Sequence, residues 1–206
     1  MKKAHLFTCV FWGLALLILL VIGTTEGSEN LYGSVIRIHV LANSDSPEDQ
    51  ETKLLVRDKI LEFAEENLSG SKGLAEAEEE IRERIPQMEE MGRAYLKEIG
   101  KEDRLSITLT TEYYPTREYD SLSLPAGDYL SLRVLIGEAE GQNWWCILFP
   151  PTCLTTATEK AEDALLDAGM EEKNVKTITR EGTRFQIRFK ILEIVSQTRE
   201  KIRRLF

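Results

Sequence analysis

"VIRIHVLANSDSPEDQ", residues 35–50, changes its hydrophobic period half-way along. Ile36, Ile38 and Val40 alternate with Arg37 and His39, the two-residue period of a β-strand with two different faces. Then Ser46 stands before Pro47, with Asp49 three residues after Ser46. A hydroxyl cap, a proline at the first helical position and an acid in the first turn make a helix start. A strand that runs directly into a capped helix predicts a mixed α and β domain.

Working outward, the helix should reach about Leu68, with Leu54, Val56, Ile60, Leu61, Phe63 and Leu68 on a broad apolar arc. SGSKG (69–73) breaks it. A second helical pattern carries Leu74, Ile81, Met88 and Tyr95 at sevenfold spacing, with Ile85 and Ile99 filling in. Pro86 interrupts this pattern and predicts a kink or two short helices. After Gly100 the period returns to two: Leu105, Ile107 and Leu109, then, past a turn-rich stretch, Leu130, Leu132, Val134 and Ile136. EAEGQ (138–142) reads as a hairpin turn into the strand NWWCILF (143–149). Thr158 to about Gly169 is helical by pattern. Val175–Arg180 and Phe185–Phe189 read as a hairpin, and an amphipathic helix follows from Ile191. Strands grouped between helices predict a single α+β domain, a mostly antiparallel sheet with flanking helices.

The chain begins MKKAH, and then Leu6 to Gly23 runs eighteen residues without a charge. A basic end before an apolar run predicts export, as a signal peptide or an N-terminal membrane anchor over residues 1–27. Lys2 and Lys3 stay on the cytosolic side. Residues 28–206 then form one extracytoplasmic domain, secreted or membrane-anchored. Residues 1–27 carry +1, and from Arg180 onward eight Lys/Arg face three Glu, a net of +5, so within the formal total of −9 residues 28–179 carry −15. An acidic body argues against nucleic acid as a partner. The basic tail is suited to a membrane-surface contact or to charge balance within the molecule.

No nucleophile elbow, HExxH, P-loop or dinucleotide fingerprint is present. His39 is the sole histidine outside the leader. It reads as a strand residue facing solvent or packing beside Arg37. Asn43-x-Asp45 hints at a calcium loop, but Pro47 takes the next ligand position, so no metal is expected. The expectation is no catalysis, no cofactor and no small-molecule substrate.

The rarest side chains gather in GQNWWCILFPPTC, residues 141–153. If extended, Cys146 and Cys153 would be about 23 Å apart, far beyond the 4.4–6.8 Å of a disulfide. A bridge needs the chain to reverse at Phe149-Pro150-Pro151-Thr152, which the prolines favour. With Cys9 set aside in the apolar run, an even pair in an oxidising space usually joins. Such a loop would stabilise by about 2–3 kcal/mol. Trp144 and Cys146 should point one way, Trp145 and Phe149 the other. That leaves Trp144 for the core and Asn143, Trp145, Phe149, Pro150, Pro151 and Thr152 as candidates for partner contact.

IRIHVLANSDSPEDQ, KLLVRD and YPTREYDSLSLPAGDYLSLRVLIGEAEGQNWWCILFPPTC resemble the stage II sporulation protein R family. The likeness spans about residues 35–65 and 113–153. It implies a signalling protein of endospore formation, made in the forespore and exported into the space between forespore and mother cell. There it would activate a membrane-embedded aspartic protease that processes a sigma-factor precursor. The alternative from the residues is an exported hydrolase or a cell-wall-binding module.

Overall fold

The computed structural model describes residues 11–13, 32–68, 70–71, 73–119, 122–150 and 158–179. Most of the leader, Pro151 to Cys153, and the hairpin and helix expected beyond Thr179 lie outside them. Among the described residues no helix is long and apolar enough to cross a membrane.

Strand β1 (Ile36–Leu41) runs into helix α1 (Pro47–Leu68), and α2 (Leu74–Glu98) follows. Then come β2 (Leu105–Tyr114), a small ladder of β3 (Arg117–Glu118) and β4 (Ser123–Leu124), β5 (Gly127–Ile136) and β6 (Asn143–Phe149). Helices α3 (Thr158–Asp167) and α4 (Glu172–Thr179) close the described chain. The four long strands form one sheet in the order β2-β5-β1-β6. Two of its three pairings are antiparallel, and β1 lies parallel to β5. The α+β expectation therefore holds, with one parallel pair at the centre.

That centre corrects a connection. EAEGQ joins β5 to β6, but the two strands do not pair: β1 lies between them, hydrogen-bonded to both. Every residue of β1 is buried, on both faces. Ile36, Ile38 and Val40 meet Val56, Ile60 and Ile81 under the α1–α2 layer. On the other face Val35, Tyr129 and Ile147 pack with Leu165, Val175 and Ile178 of α3 and α4. A strand covered on both sides must bury whatever it carries, including Arg37 and His39.

Three further expectations change. Helix α2 is continuous through Pro86, which is exposed; the apolar face on both sides of it, Ile81 and Met88, is fully buried. Packing of that face outweighs the missing amide. Leu54 is 39 % exposed, so it lies off the buried stripe. Val175 to Thr179 is helical rather than a strand, and Val175 and Ile178 bury one side of α4 at the i, i+3 spacing.

Candidate functional site

The sheet end near α1 is tied by a knot of side chains from two separate stretches. Ser46 Oγ accepts the Asp49 amide at 3.1 Å, the expected N-cap bond. Asp49 Oδ2 also accepts Ser44 Oγ at 2.6 Å and Asn43 Nδ2 at 2.9 Å. These hydrogen bonds hold the Asp49 carboxyl below its ordinary pKa. Asn43 Oδ1 accepts the Glu138 amide at 3.0 Å, and Asp45 Oδ1 accepts the Gln142 amide at 2.8 Å. The 137–142 connection is thereby moored to the start of α1. Gly137 has φ 59°, and a Cβ there would lie 2.2 Å from Asn43 Oδ1. The Asn-Asp hint of a calcium loop thus resolves as a helix cap and loop clamp.

The second sheet face carries a polar and aromatic cluster that the sequence did not announce. Arg37 is fully buried. Its guanidinium lies 4.1 Å from the centre of the Tyr114 ring and 5.1 Å from that of Tyr129. Nε donates to the Cys146 carbonyl at 3.2 Å, Nη2 donates to Tyr119 Oη at 2.5 Å, and Nη1 has no hydrogen-bond partner among the described residues. One step along β1, His39 is 8 % exposed rather than solvent-facing. Its Nδ1 lies 3.2 Å from Glu112 Oε2 and its Nε2 2.7 Å from Asn143 Oδ1.

Glu112 is the hub. Ser131 Oγ donates to it at 2.8 Å, and Arg133 Nε lies 3.3 Å away, within ion-pair range but misaligned for a hydrogen bond. Burial pushes its carboxyl upward; the His39 and Ser131 hydrogen bonds, with the His39 and Arg133 charges, outweigh that and hold it below the ordinary value. Burial raises the Tyr114 phenol far out of the physiological range, so it stays protonated. Tyr114 shares a 2.6 Å hydrogen bond with Ser131.

A serine, a histidine and a carboxylate lie together here, but not in the order that nucleophilic catalysis needs. Ser131 Oγ bonds Glu112 and Tyr114, not His39, and Ser131 is fully buried. The second histidine nitrogen is engaged by Asn143. The serine hydroxyl thus makes no direct hydrogen bond to the imidazole, the contact a Ser-His pair needs. Among the described residues no three His, Cys, Asp or Glu side chains gather as metal ligands.

Of the partner-contact candidates, Asn143 is exposed and Trp145 half-buried. The Asn143 side chain serves His39. Trp145 lies 5.5 Å from the His39 ring, with the Arg117 guanidinium 4.1 Å above its own ring. Phe149 is 1 % exposed and Pro150 is buried; both pack inward. Phe149 also does not share the face of Trp145. The β1–β6 register shifts between Ile36 and Arg37, pairing them with Phe149 and Ile147, so Leu148 is an extra residue. That bulge turns Phe149 onto the α1–α2 side, beside Leu148. Trp144 lies on that side, half-buried, under Arg57 at 4.7 Å. Cys146 is 7 % exposed on the same side; Cys153, Pro151 and Thr152 lie outside the described residues.

Residues 32–159 match the family model for stage II sporulation protein R. The chain belongs to this family. It is also similar to stage II sporulation protein R of Bacillus subtilis (strain 168), 29 % identical over 165 residues, covering 76 % of this chain and 74 % of that one. No solved structure matches. The spore family names a sporulation role and no reaction. Its match takes in the helix-cap knot, the Arg37–His39 strand, the tyrosine stretch and β6, and ends at the first turn of α3. Sequence reading missed Arg37, Glu112, Tyr114, Tyr119, Tyr129 and Ser131 as a group. Their available signal was two basic residues in the middle of an apolar strand.

Proposed function

We propose that this chain is an exported signalling protein of endospore formation, acting in the space between forespore and mother cell. It activates a membrane-embedded aspartic protease and so leads to processing of a sigma-factor precursor. Family membership over residues 32–159 carries this reading. The basic end and the uncharged Leu6–Gly23 run support export. The His39 geometry favours a binding role over the hydrolase alternative, because Ser131 and the imidazole do not meet. A disulfide between Cys146 and Cys153 belongs to the same proposal, supported by their being the two cysteines outside the apolar leader run. The proposed partner contact comprises Asn143 and Trp145, together with Pro151 and Thr152.

The test is co-expression of this chain with the protease and its precursor in a host that lacks sporulation genes. Precursor cleavage is expected only when this chain is exported. Leu17→Arg with Leu19→Arg should abolish it, since each charge costs about 2.5–3.5 kcal/mol at the centre of a span. Full cleavage from a chain trapped in the cytosol overturns the reading.

A further inference from the structure

We propose that the open end of the second sheet face, around Trp145, is a docking site for an acidic peptide segment of the partner protein. This rests on the reading of the chain as a protease activator and names the chemistry of its contact. Residues 28–179 carry −15, yet this one site gathers three arginines. Arg117 lies over Trp145 at 4.1 Å; Trp145 lies 5.5 Å from His39; His39 and Arg133 both reach Glu112, at 3.2 and 3.3 Å. Arg37 sits one step deeper on the same face. Glu112 is the sole carboxylate among these contacts and is shared by the His39 imidazole and the Arg133 guanidinium. Glu118 follows Arg117, but successive residues of a strand point to opposite sides. Neither Arg117 nor Arg37 has an acidic partner among the described residues.

Two of the three arginines are also presented rather than buried away. Arg117 is exposed, and the Arg133 side chain is 40 % exposed. A guanidinium held over an indole can still offer N–H donors to a carboxylate in a two-pronged pair. Arg37, fully buried with Nη1 unpartnered among the described residues, adds positive field from beneath with little water to screen it. Trp145 supplies apolar area beside these donors, held by ring contacts to His39 and Tyr114. A rigid aromatic anchor rimmed by arginine is the composition of a binding hot spot. The surrounding acidic surface repels acidic segments elsewhere and so favours this position.

The experiment has two arms. In the first, the exported chain is titrated with fluorescein-labelled hexaglutamate at low and high salt. Binding is expected, weakened by salt, and reduced about ten-fold or more by Arg117→Glu with Arg133→Glu. Arg82→Glu, on the far helix layer, should leave it unchanged. In the second arm the same double variant is scored for precursor cleavage in the co-expression host. Cleavage should fall with it, while Arg117→Lys with Arg133→Lys, its fold checked by circular dichroism, keeps measurable cleavage and binding. If the wild-type chain triggers no cleavage but binds hexaglutamate through these arginines, the activator reading fails and the acidic-segment site stands. Hexaglutamate that fails to bind, or binds the charge-reversed variant equally, overturns the site. So does charge-dependent binding to phosphatidylglycerol vesicles that hexaglutamate does not displace, or a wild-type dimer that the double variant dissociates.

Discussion

Asn43→Ala isolates the knot at the sheet end. The side chain spans two elements: Nδ2 donates to Asp49 at the start of α1, and Oδ1 accepts the amide of Glu138 after β5. Alanine removes both bonds at once. A hydrogen bond to an ionised carboxylate contributes about 1.5–3 kcal/mol and one to a backbone amide about 0.5–1.5. The Glu138 end is exposed, so water replaces part of what is lost. The expected loss is about 2 kcal/mol, which for a chain of this size lowers the melting temperature by about 4–8 °C. Thermal unfolding followed by circular dichroism measures it. Asn43→Asp sharpens the test, because the new carboxylate would face Asp49. Like charges raise both folded pKa values, so this variant should be weakest near neutral pH and recover as pH falls toward 4 (about the ordinary carboxylate value). A melting temperature within about a degree of wild type for both variants would refute the claim that the knot moors the 137–142 connection.

Three other outcomes follow from the same geometry. Glu112 has a folded pKa below its unfolded value, so its stabilisation is present above the unfolded value and is lost as pH falls through the folded one; Glu112→Gln should therefore show a shallower loss of stability on acidification, and an unchanged acid limb would sink the hub role. Gly127→Ala would set a Cβ 2.5 Å from the Tyr32 ring, whose hydroxyl is held by the Ala126 carbonyl; a loss of about 1–3 kcal/mol in urea unfolding is expected, and wild-type stability would show that Tyr32 moves aside freely. For the Cys146–Cys153 bridge, mass spectrometry of exported protein should find the peptide about 2 Da heavier after reduction, one hydrogen for each sulfur; alkylatable thiols on both cysteines without reduction would contradict it.

Local structure was legible where it depends on near neighbours. The alternation of Ile36, Ile38 and Val40 against Arg37 and His39 assigned the two faces of β1, and the Ser46-Pro47-Asp49 start assigned α1. Side-chain period and capping act over a few residues, so a short window contains all the information. Pro86 and Val175 mark the limit of that window. Local propensity argued against a helix at both, and buried faces supplied by distant residues decided otherwise.

The site was legible only in pieces. Trp145 stood out by rarity and His39 by being the single histidine of the body, but nothing in their spacing joined them. They became neighbours because β1 inserts between β5 and β6, placing His39 opposite Trp145 on one side and Arg133 on the other. Sequence by itself determined the α+β class, the helix cap and the motifs that carry family membership. Tertiary structure alone decided the strand order, the bulge at Leu148 that turned Phe149 inward, and the burial of Arg37 under three tyrosines. The physical reason is that closing a longer loop adds little to its entropic cost. Which distant strands pair is therefore settled by how well whole faces pack together, a property that no short stretch of residues contains.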